Sequence, residues 1–161
     1  MGSEMCIRDS ADSVSICFSK GLGAPAGSIL CFPENMEHKV RRQRKILGGA
    51  LRQVGVLGAA CLYAVKNNIK RLKEDHERAS FLAKELNPYH CKKNGKDLDS
   101  FTNMVFFEPI EKKGSDLFSF LKNKGIIISK PSPETRLVMH LNITDEVLNS
   151  FIKTVKEFYG D

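Results

Sequence analysis

Apolar residues occur along this chain in short runs, each set off by a stretch rich in glycine or in cations. Ser13-Val14-Ser15-Ile16-Cys17-Phe18 reads as a buried strand, followed by a glycine-rich turn from Ser19 to Ser28 and a return strand at Ile29-Leu30-Cys31-Phe32. A helix is predicted from Glu34 to Leu47, dominated by Lys39, Arg41, Arg42, Arg44 and Lys45 and ended by Gly48-Gly49. From Leu51 to about Val65 nearly every side chain beyond Arg52 and Gln53 is small or apolar, the pattern of a helix buried on all sides. Asn67 to Leu86 carries Ile69, Leu72, Ala79, Leu82 and Leu86 at helical spacing with charges elsewhere, which predicts a long amphipathic helix. Asn87-Pro88 stops it, and Cys91 to Ser100 is a polar, lysine-rich loop.

The last third alternates. It predicts a strand at Thr102–Glu108, a helix at Ser115–Asn123 with Gly125 after it, strands at Ile126–Ser129 and Arg136–Leu141, and a helix at Thr144–Tyr159. Thr144 suits an N-cap with Asp145 and Glu146 in the first turn. Leu148, Phe151, Ile152, Val155 and Phe158 form the buried stripe, and Gly160 closes the helix. This tail predicts a small sheet with helices on one side. The strand at Ser13–Phe18 has no earlier strand to pair with, so the chain reads as starting inside something larger.

With 161 residues, 42% hydrophobic and 27% charged, the composition fits one globular domain or a small pair of lobes and excludes disorder throughout. The apolar stretch Val54 to Val65 falls short of the roughly 20 residues needed to cross a bilayer, so no membrane partner is expected. Met1 to Ser10 lacks the basic start and apolar core of a signal peptide, and residues 1–11 read as a non-native leader. Cys6, Cys17, Cys31, Cys61 and Cys91 form no C-x-x-C pair, which argues against a zinc ribbon or a disulfide framework and for reduced thiols in the cytoplasm. His38, His76, His90 and His140 share no metal-ligand spacing, and no metal is expected. The net charge of +6 calls for an anionic partner: nucleic acid, a phosphate cofactor or a carboxylate substrate. The basic run from Lys39 to Lys45 lacks interleaved aromatics and fits a solvated or phosphate-facing surface better than a nucleic-acid stripe.

Lys20 follows the first expected strand and precedes Gly21, which places its amine at the end of a sheet beside glycines that let a bulky ligand approach. An amine desolvated there among cations gives up its proton more readily and becomes a nucleophile toward carbonyl carbon. Spacing by itself leaves a solvated loop lysine open as well. The segment is not a Walker phosphate loop, because Lys20 comes before the glycines.

Three segments, taken in order, carry more. Asp12-Ser13-Val14 with Cys17-Phe18-Ser19-Lys20-Gly21-Leu22-Gly23-Ala24-Pro25-Ala26-Gly27-Ser28, then Arg44-Lys45-Ile46-Leu47-Gly48-Gly49-Ala50-Leu51-Arg52-Gln53, then Arg136-Leu137-Val138-Met139-His140-Leu141, together closely resemble the low-specificity L-threonine aldolases. These are pyridoxal-phosphate enzymes of the aspartate-aminotransferase fold, fold type I. The resemblance runs from about Asp12 onward and covers the carboxyl-terminal part of such an enzyme. It implies an α/β fold with part of the large-domain sheet and helices in residues 12–66 and a small α+β domain in residues 67–161.

Carried over by position, Lys20 matches the lysine that bonds covalently to pyridoxal 5'-phosphate. Lys45 and Arg52 match basic residues directed to the cofactor phosphate, commonly across a subunit interface. Arg136 matches the arginine that clamps the substrate carboxylate, a task for a planar two-pronged donor. The family usually shows G-G-G-M-R-Q where this chain has Gly48-Gly49-Ala50-Leu51-Arg52-Gln53, and Thr where Met139 stands. The implied reaction is cleavage of a β-hydroxy-α-amino acid such as L-threonine or L-allo-threonine into glycine and acetaldehyde, by a homodimer or homotetramer when intact. The resemblance places the ring-nitrogen carboxylate, the stacking ring and the general base upstream, so this piece is expected to be weak or inactive alone. The alternatives are another lyase or aminotransferase fragment of the same fold, or a noncatalytic basic interaction module.

Overall fold

The computed structural model describes residues 10–92, 95–110, 114–129 and 134–160. The leader expected at residues 1–11 lies, through residue 9, outside them. The chain divides into two compact units, Met1–Ile69 and Lys70–Asp161.

The first unit opens with strands β1 (Val14–Cys17) and β2 (Ser28–Cys31), paired antiparallel so that Val14 faces Cys31 and Cys17 faces Ser28. The buried strand expected here is instead exposed, with Ile16 showing 43% of its surface. Among the described residues this sheet has two strands, too few to bury a strand's side chains by themselves. A 3-10 turn (Glu34–Met36) leads into helix α1 (Glu37–Ile46), which buries no side chain. Its glycine ending is as expected: Gly48, at φ 78°, donates to the Lys45 carbonyl (3.2 Å), and Gly49 donates to that of Arg44 (2.8 Å).

Helix α2 spans Gly55–Asn68 rather than beginning at Leu51. Residues 52–54 form a turn in which Gln53 takes φ 51°, a left-handed conformation that a helix interior does not accept. The expectation of burial on all sides is also corrected. Val56 is 79% exposed, and among the described residues of α2 only Ala64 is buried. Apolar composition marks a helix that can be buried all round, but burial requires neighbours, and the elements of this unit supply them along one stripe. That stripe is Cys61–Ala64–Asn68, at helical spacing. The Cys61 thiol donates to the Ala26 carbonyl (3.4 Å), and the Asn68 Nδ2 donates to the Leu22 carbonyl (2.7 Å).

The second unit holds the core. Helix α3 (Leu72–Leu86) starts later than the Asn67 expected, because residues 69–71 form a turn that leaves Ile69 exposed. Its buried face, Asp75, Ala79, Leu82, Ala83 and Leu86, includes one charge where none was expected. Asp75 accepts from Arg71 Nη2 (2.5 Å) and lies in the first helical turn, where the backbone dipole favours a carboxylate. After a 3-10 turn (Asn87–Tyr89), the strand expected at Thr102–Glu108 is a hairpin: β3 (Ser100–Phe101) and β4 (Met104–Phe107) join through Thr102, at φ 57°, and Asn103. Strand β5 (Thr135–Val138) pairs antiparallel with β4, giving the order β3-β4-β5.

Helix α4 (Gly114–Asn123) ends at Gly125 as expected. The strand predicted at Ile126–Ser129 is absent, because the Ile126 N–H is used to cap this helix at the Leu121 carbonyl (2.8 Å). Helix α5 (Asp145–Tyr159) agrees with the sequence in both caps, with Thr144 Oγ1 accepting from the Val147 N–H and Gly160 at φ 87°. Leu148, Phe151, Ile152 and Val155 join Leu82, Leu86, Val105, Phe107, Leu117, Leu121 and Leu137 in one apolar cluster. Among the described residues, no helix is long and apolar enough to cross a membrane, and no three metal-ligating side chains cluster.

Two predictions follow from these contacts. A Cβ at Gly27, which sits at φ 125°, would lie 2.7 Å from Cys61 Sγ. At Gly48 it would meet nothing within 4 Å. We expect Gly27→Ala to cost about 1–3 kcal/mol and Gly48→Ala roughly 1 kcal/mol, compared by urea unfolding read at residues 14–31. Equal losses would exclude the Cys61 contact as the cause.

The second prediction concerns acid. The Lys92 ammonium and the Asn87 side chain hold Asp97 below the usual carboxylate range, and the Thr144 hydroxyl with its own backbone N–H does the same for Glu146. Each carboxylate stabilises the folded unit fully above its unfolded pKa, and the contribution is lost as pH falls through the lower folded value. NMR titration is expected to place both midpoints below those of the denatured chain, with the contribution of these two carboxylates to stability falling away on the acid side.

Candidate functional site

The ladder between β1 and β2 continues past Cys17, with the Phe18 N–H donating to the Gly27 carbonyl (2.9 Å). Between these residues the chain forms a loop closed twice. Gly23, at φ 73°, donates to the Lys20 carbonyl (2.8 Å), and the Ala24 N–H donates to the Phe18 carbonyl (3.0 Å). Lys20 therefore opens a tight turn just beyond the strand end, and its side chain is exposed. Ala24, by contrast, is buried.

The neighbouring groups are polar. Cys17 Sγ and Ser19 Oγ lie 3.2 Å apart. The Ser19 hydroxyl, then the Ser19 backbone N–H, then the Lys20 charge hold the Cys17 thiol below its ordinary range. A thiol, a hydroxyl and a primary amine thus share one exposed strand end.

The cations of α1 and its following turn divide by the work they do. Arg41 pairs with Glu37 (2.6 Å), and Arg44 Nε donates to the Gly49 carbonyl (3.0 Å), closing the end of the helix. Lys45 and Arg52 are exposed, and among the described residues neither enters a side-chain hydrogen bond or ion pair. Their charges remain available to an anion.

Arg136 belongs to the second unit, in β5 opposite Phe106 of β4. Strand alternation buries Thr135 and Leu137 and turns Arg136 outward, again without a side-chain partner among the described residues. Lys20, Lys45 and Arg52 belong to the first unit, so the structure presents the predicted residues in two separately described groups. His140 is exposed, and its Nδ1 accepts from the Asn142 N–H (3.3 Å), a local turn contact. No motif or spacing points to the contacts that Cys61, Asn68 and Gly27 make around the Lys20 loop.

Comparison with known proteins adds a second kind of observation. The chain is 40% identical over 143 residues to the low specificity L-threonine aldolase of Escherichia coli K12, a stretch that is 88% of this chain and 41% of that enzyme. It therefore spans well under half the length of this curated relative. A solved Listeria monocytogenes protein described as a candidate L-allo-threonine aldolase superposes with a TM-score of 0.70 at 22% identity, over 96% of this chain and 46% of that one. An SPT structure with PLP bound superposes with a TM-score of 0.65 at 16% identity, over 95% of this chain and 41% of that one. These likenesses show the fold, which is part of the fold-type I architecture that the resemblance implied. The family model described as Beta-eliminating lyase matches residues 3–108, more than half of the 161 residues, and the chain belongs to that family.

Proposed function

We propose that this chain is part of a pyridoxal-phosphate-dependent threonine aldolase, acting on L-threonine or L-allo-threonine in a cytoplasmic homodimer or homotetramer. The observation that carries this reading is the 40% identity to the Escherichia coli enzyme over 88% of the chain. The residues present fit the cofactor in kind: an exposed primary amine in a turn with Gly21 and Gly23, and two cations, Lys45 and Arg52, with no carboxylate partner among the described residues. In this reading residues 12–66 belong to the large cofactor-binding domain and residues 67–161 form the small domain.

Lys20 would hold the cofactor covalently through its amine, while Lys45 and Arg52 neutralise its phosphate. Arg136 would grip the substrate carboxylate with two parallel N–H donors, fixing the rotation about the bonds at Cα. When bound, the cofactor supplies a sink for the electron pair released as the Cα–Cβ bond breaks. The β-hydroxyl proton leaves to a base, the β-carbon departs as acetaldehyde, and Cα takes up a proton to give glycine. Neither that base nor a carboxylate partner for the pyridine nitrogen is assigned to residues of this chain. We therefore expect the chain alone to bind cofactor weakly and to turn over slowly or not at all.

Titration with pyridoxal 5'-phosphate, followed by borohydride reduction and peptide mapping, tests the reading. We expect a visible absorbance band and a label concentrated on Lys20, both lost in Lys20→Ala. Removing one charge-assisted contact, as in Arg52→Ala, should raise the half-saturating concentration roughly ten- to a hundredfold. A label spread evenly over surface lysines would instead assign the chain to a noncatalytic role.

A further inference from the structure

We propose that Asn68 is a positioning residue for Lys20. Resting on the reading that Lys20 holds the cofactor, this assigns to the last residue of α2 the task of fixing the turn that presents the amine.

The geometry is specific. Asn68 Nδ2 donates to the Leu22 carbonyl at 2.7 Å, across 46 positions of sequence. Leu22 lies within the turn that the Gly23 N–H closes on the Lys20 carbonyl. One turn back along α2 is Ala64, 1% exposed, and one turn further back is Cys61, whose thiol donates to the Ala26 carbonyl and fills the space beside Gly27. One stripe of α2 thus splints the Lys20 loop at both ends, and Asn68 holds the end that carries the amine.

The side chain required is a short one with an N–H donor. An alanine leaves the Leu22 carbonyl without that partner, and an ionised aspartate sets a negative oxygen against it. Asn67 supplies a control within the same helix, because its Nδ2 donates to the Tyr63 carbonyl (2.8 Å) and does not reach the loop. A freed turn lets Lys20 point in many directions, which lowers the fraction of time its amine meets a docked carbonyl group.

The test uses the full chain with pyridoxal 5'-phosphate and borohydride, read by the share of label on Lys20, together with hydrogen exchange at two amides. The Gly23 amide reports the Lys20 turn, and the Gly49 amide, bonded to the Arg44 carbonyl, reports the same unit elsewhere. In Asn68→Ala we expect Gly23 to exchange about five- to tenfold faster, Gly49 to be unchanged, and the Lys20 share of label to fall several-fold. Asn67→Ala should match the parent in all three.

Asn68→Asp separates positioning from general folding. Its carboxyl regains an O–H donor when protonated, so Gly23 protection, taken relative to the parent at the same pH, should return as pH falls through the carboxyl range. That arm also stands if Asn68→Ala does not fold. Lys20-selective labelling that persists unchanged in Asn68→Ala would overturn the positioning role alone. Equal acceleration of Gly23 and Gly49, or no acid recovery in Asn68→Asp, would likewise reduce Asn68 to a general structural residue. Absence of Lys20 selectivity in the parent chain would overturn the functional reading, and this inference with it.

Discussion

The first unit depends on the seating of one helical stripe, Cys61–Ala64–Asn68, along a ten-residue loop. The hairpin that carries the loop has four residues in each strand and exposes both of them, so it gains little from its own ladder and less from burial. Two hydrogen bonds from α2 and the close approach of Cys61 to Gly27 supply what the strands lack. A side chain at residue 27 would displace the thiol, and a shorter residue at 68 would not reach the carbonyl. The small residues of the loop are therefore a packing requirement as much as a means of letting a ligand approach.

The second unit is stabilised in a different way. Its sheet buries Val105, Phe107, Thr135 and Leu137 on one face, and helices α3, α4 and α5 contribute Leu82, Leu86, Leu117, Leu121, Leu148 and Val155 to the same cluster. Each fully buried leucine is worth about 2–3 kcal/mol relative to exposure, so the hydrophobic term dominates here. Surface pairs such as Lys156 with Glu85 and Lys124 with Glu157, both at 2.7 Å, add little beside it. Asp75 is the exception, a buried charge tolerated because Arg71 and the start of α3 meet it.

What could be read from sequence was whatever a local rule determines. Thr144 and Gly160 bracket α5, Gly48 and Gly125 end their helices, and the α5 stripe is buried where its spacing put it. The Lys20, Arg52 and Arg136 segments were legible as motifs through the resemblance they carry, taken in order along the chain. The strand at Val14–Cys17 and the helix at Gly55–Asn68 were right as elements and wrong in burial, since apolar content records what a segment can bury and says nothing of whether a neighbour is present. Asp75 escaped notice because periodicity sorts apolar from polar and cannot foresee an ion pair on the apolar side. Asn68 was invisible for a further reason: a hydrogen bond between residues 46 apart leaves no periodic trace.

Arg136 and Lys20, the two ends of the proposed chemistry, are held in different ways. Arg136 is directed by strand alternation: Thr135 and Leu137 on either side of it are buried, so turning the guanidinium inward would expose a core residue. A one-residue slip would be opposed by the whole second unit. Lys20 has no such enforcement, being exposed at the end of a two-stranded ribbon and aimed only by a turn and its brace. In the proposed role of Lys20 a side chain that would bond reversibly to a cofactor gains from that looseness, provided the turn itself stays fixed. Rigid backbone with a free side chain is what the Asn68 hydrogen bond supplies: it fixes the Leu22 carbonyl without touching the lysine.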